Sequence, residues 1–224
     1  HAGEEALNDC MKKFGGFDHN LQTLRTILFL ENRYYEFQGL NLTLETLDGL
    51  IKHNGPIKDL RKYKKILEIG YFRNKIKFSL SPSLEAQIAS ISDDIAYNSH
   101  DLEDGLKSNL FHLEDLKHIP ILNKIIIKHQ KKINNYSLDL VIRQIVRDII
   151  NEMVKDIIIN TQKKIKKNKI KNVNDVLKSK YPLVTFSSDM QKFDKKIKNF
   201  LRKKMYYHKK VKSNTNYGKK IIKK

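Results

Sequence analysis

The stretch LDLVIRQIVRDIINEMVKDIII, residues 138–159, decides the fold class of this chain. Its apolar residues recur at three- and four-residue spacing, which places them on one side of an α-helix. They are Leu138, Val141, Ile142, Ile145, Val146, Ile149, Ile150, Val154, Ile157 and Ile158. The charged residues between them fall mainly on the other faces. The sequence therefore predicts a long helix that buries one side.

Weaker helical patterns elsewhere extend this prediction to an all-α fold. Leucines around residues 21–28 and the apolar residues of 44–51 have helical spacing, and the second run stops at Asn54-Gly55-Pro56. Another helix is predicted to begin at Ser81-Pro82, because serine caps free amide groups and proline suits a first turn. The alternation over 71–80 is too short for more than a minor hairpin.

The charge balance leaves two interpretations open. Lys and Arg number 44 against 25 Asp and Glu, which gives a net charge of +19. Such a charge attracts nucleic acid, acidic membrane surfaces or nucleotide phosphates. However, much of the excess is lysine mixed with isoleucine and asparagine, as in 163–172, and A/T-rich coding produces that mixture without selection for binding.

The chain length suits one helical domain or one and a half. The lysine-rich segment 163–174 is predicted to be a linker and the tail after Lys209 to be frayed. We expect one main domain over 1–160 and a lysine-rich linker with a C-terminal helical region over 161–224. Because the first recognisable motif begins at His1, the chain is expected to be a fragment of a longer protein.

The expected location is the cytoplasm, without membrane association. No apolar run approaches the roughly 20 residues that span a bilayer. The single cysteine, Cys10, has no partner within the chain for a disulfide or a thiolate zinc site.

The segment DDIAYNSHD, residues 93–101, is the most informative for chemistry. On a helix, the spacing of four puts Asp93, Tyr97 and Asp101 on one face over two turns. Such a face can hold a divalent cation at one end and a sugar hydroxyl at the other. The alternative is a solvated acidic helix face, which spacing alone favours.

Two histidines near the start of the chain are further candidates. His1 and Glu4 are three residues apart, so on a helix the carboxylate can orient the imidazole for acid–base or nucleophilic work. His19 follows Gly15 and Gly16, whose flexible backbone can bend to present the ring to an anion. The alternatives are an ordinary surface pair and a loop histidine that caps the next helix.

Taken in order, these segments resemble the dGTPase-like triphosphohydrolases of the HD superfamily. The matching stretches are HAGE (1–4), GFDHN (16–20), QTLR (22–25), GLNLT (39–43), KHNGP (52–56), SLEAQIA (83–89), DDIAYNSHD (93–101), LEDG (102–105), FSSDM (186–190), FL (200–201) and MYYH (205–208). Their shared order makes the resemblance specific although each motif alone is weak.

The resemblance implies an HD-domain helical bundle with a helical C-terminal extension, in which 1–160 is the C-terminal part of an HD-type catalytic domain. It also implies metal-dependent hydrolysis of a deoxynucleoside triphosphate to deoxynucleoside and inorganic triphosphate. Asp93 resembles the family's late metal ligand, for Mg²⁺ or Mn²⁺, and the other ligands are expected before His1. A homo-oligomer is implied as well.

The same resemblance implies roles for the remaining candidates. His1 and Glu4 resemble the catalytic pair, and His19 resembles the histidine that contacts the phosphates. Tyr97 and Asp101 resemble the residues that pack on the deoxyribose and bind its 3′-hydroxyl. Two alternatives stay open: a basic helical nucleic-acid-binding protein, and a non-catalytic HD-type regulatory protein.

Overall fold

The computed structural model describes residues 2–59, 63, 75–133 and 135–224, and helices dominate them. The all-α prediction is confirmed: these residues form no strand. Residues 75–80, the described part of the suggested hairpin, form turns, and 71–74 lie outside the described residues.

The described residues form the following α-helices in chain order. They are α1 (Ala2–Met11), α2 (His19–Arg25), α3 (Leu44–Ile51), α4 (Leu84–Lys107), α5 (Leu113–Leu116), α6 (Pro120–Gln130), α7 (Leu138–Lys167), α8 (Val173–Leu177), α9 (Ser188–Leu201) and α10 (Lys209–Ile222). A 3₁₀ turn covers Lys12–Phe14, and π-helical turns cover Thr26–Leu30 and Arg202–Tyr206.

Helix α7 confirms the helix predicted from the apolar stripe. The Ser137 hydroxyl caps its first turn by accepting from the amide of Leu140 at 3.4 Å. The middle of the stripe is buried: Val141, Ile142, Ile145, Val146, Ile149, Met153 and Ile157. Its outer members Leu138, Val154 and Ile158 are exposed. The stripe therefore buries its centre and leaves its margins at the surface.

The prediction of a frayed tail is wrong, and the segment predicted to be a linker is helical in its first part. Helix α7 continues to Lys167, into the segment predicted to be a linker. Lysine is a good helix former and is favoured beside the carbonyl end of a helix, so a high charge did not end this helix. The tail predicted to fray forms α10, whose Lys219 and Lys223 pair with Glu5 at 2.6 Å and Asp9 at 2.9 Å on α1.

The predicted start of α4 is displaced by a few residues. Ser83, not Ser81, caps the helix, because its hydroxyl accepts from the amide of Ala86 at 3.2 Å. The hydroxyl of Ser81 instead donates to the carbonyl of Ser179 at 2.8 Å. Helix α3 has the predicted extent, with Thr43 as its cap.

The contacts divide the chain into two compact units. The first comprises His1–Ser90, Ile170–Leu183 and Asn214–Lys224, and the second Ile91–Lys169 and Val184–Ser213. Both units are built from separate segments of the chain. The domain boundary expected near residue 160 stays a prediction. No helix in the described ranges is both long and apolar enough to cross a membrane.

Each unit has its own core. In the first unit, Leu24 of α2 and Leu47 and Ile51 of α3 pack with Ile76 and Phe78. In the second unit, α6 packs along the buried face of α7. The ring of Phe111 there meets that of Phe200 edge to face, with centroids 4.8 Å apart.

Candidate functional site

Helix α4 carries three of the predicted site residues along one edge in the second unit. Asp93, Tyr97 and Asp101 all lie within its helical span, so the predicted helical spacing is confirmed. Asp93 and Tyr97 are exposed and Asp101 is half-buried. The opposite side of the helix is in the core, where Ile95 and Leu102 are buried. Because this inner side is packed, the edge with Asp93, Tyr97 and Asp101 lies toward the surface.

Tyr206 contacts this edge of α4 from another helix, and the sequence analysis did not single it out. It ends the π-helical turn after α9, and its phenol donates a hydrogen bond to Oδ2 of Asp101. Its hydroxyl also interacts with that of Tyr97. The only sequence signal for Tyr206 was its place in the MYYH stretch. The structure thus joins Tyr97, Asp101 and Tyr206 into one polar cluster.

Burial dominates the electrostatics of this cluster. It raises the pKa of the Asp101 carboxyl, and the hydrogen bond from Tyr206 opposes that rise only in part. Burial is the main cause that raises the pKa of the Tyr206 phenol, and the hydrogen bond to the Asp101 carboxylate is the second. The phenol therefore keeps its proton at neutral pH and remains a donor. Asp101 retains Oδ1 as a further acceptor for a ligand hydroxyl.

The other end of the edge carries two adjacent carboxylates with different surroundings. Asp94 pairs with Nζ of Lys198 at 3.5 Å. Asp93 is exposed, and no hydrogen bond or ion pair joins it to another described residue. Of the two, Asp93 is therefore the carboxylate available to a cation. Within the described ranges there is no group of three His, Cys, Asp or Glu residues that could hold a metal ion.

In the first unit, Glu4 and His19 form a pair. Nδ1 of His19 lies 2.7 Å from Oε1 of Glu4, and the backbone N–H of His19 donates to the same oxygen at 3.3 Å. The hydrogen bond from the imidazole is the main reason that the pKa of Glu4 lies below its usual value. Asp18 caps α2 by accepting from the amides of Asn20 and Leu21. This cap fixes the backbone at His19.

The expected pairing of Glu4 with His1 stays a prediction, since His1 lies outside the described residues. The bend expected at Gly15 and Gly16 is present, because both have positive φ angles, 101° and 84°. A Cβ on Gly16 would lie 2.6 Å from Oδ1 of Asn8. Glycine is therefore needed there to bring the loop back onto α1.

The glycine-containing segments 39–43 and 52–56, which flank α3, have structural roles. Lys52 is buried and pairs with Asp48 at 2.6 Å, which removes its ammonium group from a ligand. Gly39 has a φ of 72°, and a Cβ there would lie 2.6 Å from the carbonyl oxygen of Ile27. These features agree with the helix-boundary interpretation.

The fold and this edge define an all-α protein with a helix edge of carboxylates and phenols. No protein-family model matches the chain. It is 54% identical over all its 224 residues to a deoxyguanosinetriphosphate triphosphohydrolase-like protein of Pelagibacter ubique, of which it covers 60%. Proteins of the same name from Bartonella tribocorum and Parvibaculum lavamentivorans are 41% and 37% identical over 100% and 99% of the chain, which covers 57% of each.

By this similarity along its whole length, the chain belongs to the dGTPase-like triphosphohydrolase family. The predicted family is thereby confirmed. The chain spans somewhat more than half the length of these curated relatives.

Proposed function

We propose that the whole protein hydrolyses deoxynucleoside triphosphates to deoxynucleoside and inorganic triphosphate. The observation that carries the proposal is the edge of α4, where Asp93, Tyr97 and Asp101 lie in register and Tyr206 orients Asp101. The name of the relatives supports a triphosphohydrolase acting on a deoxynucleotide. The four side chains offer what such a substrate needs from a protein: acceptors for a hydroxyl, a ring for the sugar and a carboxylate for a cation.

The sugar-binding part of the proposal rests on Tyr97 and Asp101. The ring of Tyr97 is 55% exposed, so a flat face is available to a deoxyribose. Asp101 accepts from Tyr206 through Oδ2 and can accept a 3′-hydroxyl through Oδ1. A sugar pressed against the ring leaves little room for a 2′-hydroxyl, which would select deoxynucleotides.

The proposal includes a divalent cation, Mg²⁺ or Mn²⁺, with Asp93 as one ligand. Carboxylate oxygens are the ligands that such hard cations prefer. Such an ion would neutralise phosphate charge and polarise the phosphoryl group. A single carboxylate does not hold an ion by itself, and the described residues do not complete the coordination shell. In this proposal the remaining ligands come from parts of the whole protein outside the described residues.

Glu4 and His19 supply the proton-handling part of the proposal. The hydrogen bond between Nδ1 of His19 and Glu4 fixes the orientation of the imidazole ring. The other ring nitrogen, Nε2, can then contact a ligand. We propose that His19 contacts the phosphates through Nε2. His1 and Glu4 remain the proposed catalytic pair, and the structure adds that Glu4 serves His19 directly.

Triphosphate release tests this function. The whole protein, with Mn²⁺ or Mg²⁺ and each of the four deoxynucleoside triphosphates, is expected to release inorganic triphosphate. Asp93→Asn is expected to abolish release and weaken metal binding, since an amide is a poor ligand for a hard cation. Asp189→Asn on α9 is the control, because that carboxylate is 86% exposed and its ionic partner among the described residues is the exposed Lys192. Full turnover by Asp93→Asn would transfer the ligand role to Asp94.

The net charge of +19 favours one second candidate, a nucleic-acid-binding protein. Lysines 163, 166, 167, 169 and 171 are exposed around the end of α7. This candidate predicts binding to single-stranded DNA that weakens steeply with salt, and no triphosphate from any of the four substrates. A homo-oligomer also remains a proposal, which light scattering on the whole protein tests.

A further inference from the structure

Three residues beside the α4 edge form a polar cluster that the proposed function does not use. Nδ2 of Asn98 on α4 donates to Oδ1 of Asp194 on α9 at 3.0 Å. Nζ of Lys198 lies 3.0 Å from the other oxygen of Asp194 and 3.5 Å from Asp94 on α4. We call Asn98, Asp194 and Lys198 the bridging cluster. It ties α9 to α4 at the turn that carries Asp94 and Tyr97.

The bridging cluster lies mostly inside the second unit. Asn98 is 4% exposed, and the side chain of Asp194 is 15% exposed. Neither residue is therefore available to a substrate. A buried carboxylate is costly unless it is paired, so the Lys198 ammonium and the Asn98 amide are what allow Asp194 to stay there. The cluster is thus a specific cross-link between two helices.

The π-helical turn connects this cross-link to the candidate site. Tyr206 lies eight residues after Lys198, and in an uninterrupted α-helix with 3.6 residues per turn it would be rotated by about 80° from Lys198. A π-turn acts as one residue inserted into an α-helix. With one residue absorbed by the π-turn, Tyr206 points in the direction that the seventh residue after Lys198 would have in a regular α-helix. That direction differs by only about 20° from the direction of Lys198 around the helix axis.

The hydrogen bonds show this wider turn directly. The amide of Tyr207 donates to the carbonyl of Arg202 at 3.1 Å, a spacing of five residues. The π-turn therefore places Tyr206 on the same face of the helix as Asp194 and Lys198. That face is the one that meets α4, where Tyr206 reaches Asp101.

We propose that Asn98, Asp194 and Lys198 are positioning residues, which hold α9 and its π-turn so that Tyr206 stays bonded to Asp101. This inference rests on the proposed function, because it makes the cluster a determinant of how well the deoxyribose is held. Lys198 also restrains Asp94, next to the proposed ligand Asp93, so the cluster supports both ends of the edge.

The test compares the same substitution at two lysines of α9 in the whole protein. Lys198→Met is expected to raise KM for dGTP on the order of tenfold, as when a hydrogen bond to a charged group is lost. Lys192→Met is expected to leave KM unchanged, because the Lys192 side chain is 74% exposed and its partner in the described part of the chain is Asp189 of the same helix. Lys198→Arg keeps the charge and is expected to restore most of the affinity. An unchanged KM in Lys198→Met would overturn the proposal.

A double-mutant cycle with Tyr206→Phe separates positioning from general structural damage. If Lys198 acts through Tyr206, Lys198→Met has little further effect on KM once the phenol is gone. Fully additive effects of the two substitutions would contradict the proposal, because they would show that the cluster acts by another route.

A spectroscopic measurement keeps the inference independent of turnover. In protein labelled with ¹³Cζ-tyrosine, the Tyr206 signal is identified by its loss in Tyr206→Phe. Lys198→Met is expected to move that signal toward the shift of the exposed Tyr181, and Lys192→Met to leave it in place. If the wild type releases no triphosphate, the proposed function fails. The Tyr206 signal then still tests whether Lys198 keeps Tyr206 bonded to Asp101. A signal that stays in place in Lys198→Met would refute it.

Discussion

Replacing Gly105 with alanine tests the packing of the second unit. Gly105 lies near the end of α4, where alanine would ordinarily be the better helix former. A Cβ there would lie 3.3 Å from Cδ1 of Phe111 and closer still to Cε1 and Cζ. The ring of Phe111 is 2% exposed and stands edge-on to Phe200, with an interplanar angle of 85°. The ring therefore has little space to move away.

The net effect is the difference between two opposing terms. Glycine to alanine inside a helix gains about 1 kcal/mol from backbone entropy. Forcing atoms into a filled core costs about 1–3 kcal/mol, and the overlap with a buried ring puts Gly105→Ala at the upper end. We expect a net loss of about 2 kcal/mol in the free energy of unfolding. With an m-value of about 2 kcal/mol per molar, the urea midpoint falls by about 1 M.

Urea titration followed by circular dichroism measures this loss. The matched control is Gly218→Ala in α10, where a Cβ meets no atom within 4 Å and stability should rise by about 1 kcal/mol. Phe111→Leu added to Gly105→Ala should recover part of the loss, because a smaller side chain relieves the overlap. If Gly105→Ala were as stable as the wild type, the ring would be free to move and the packing argument would be refuted.

Three further substitutions test other parts of the structure. Gln87→Leu removes the buried acceptor of the Leu183 amide, a bond of 2.8 Å, and should cost about 1–3 kcal/mol in a urea titration; a neutral result would mean that this amide finds another partner. The hydrogen bond from Lys128, followed by that from His129, lowers the pKa of the Asp148 carboxyl. The contribution of this carboxylate to the free energy of unfolding is therefore present above about pH 4 and is lost as the pH falls through the lowered pKa. Asp148→Asn should therefore be less stable at pH 7, with a difference that shrinks in acid; a constant difference would contradict this linkage. Tyr97→Ala in the whole protein should lower the ratio of kcat/KM for dGTP to that for GTP, and an unchanged ratio would exclude Tyr97 from sugar discrimination.

The elements that the sequence predicted well are those whose signal is local. The apolar spacing around Ile145 predicted α7, and the helical spacing of 44–51 with the stop at Asn54-Gly55-Pro56 predicted α3. These signals depend on residues within one or two turns, so they can be interpreted without knowledge of the fold. The spacing of Asp93, Tyr97 and Asp101 is local in the same sense.

The errors concern residues whose partners are distant in the sequence. Ser81 has the chemistry of a cap, but its hydroxyl is engaged by Ser179, 98 residues away. The tail after Lys209 has few local signals for order, and its helix is held by Glu5 and Asp9 at the other end of the sequence. Local patterns contain no information about such contacts.

The candidate site shows the same division. The helical spacing of the α4 edge was predictable, whereas the bond from Tyr206 to Asp101 spans 105 residues and depends on a π-turn that no composition signal marks. The pairing of Glu4 with His1, three residues away, stays a prediction, whereas its contact with His19, fifteen residues away, was not predicted. The return of the chain through Gly15 and Gly16 makes this second partner reachable.

The contact of α1 with α10 has a consequence for the order of events during synthesis on the ribosome. Glu5 and Lys219 are 214 residues apart, and closing so long a loop carries a large entropic cost. Helix α1 emerges long before α10, so it must wait for the translation of the 214 residues that lead from Glu5 to Lys219 before this ionic partner exists. Because the first unit is assembled from three separate segments, its final docking is expected to be a late step of folding, after translation of α10.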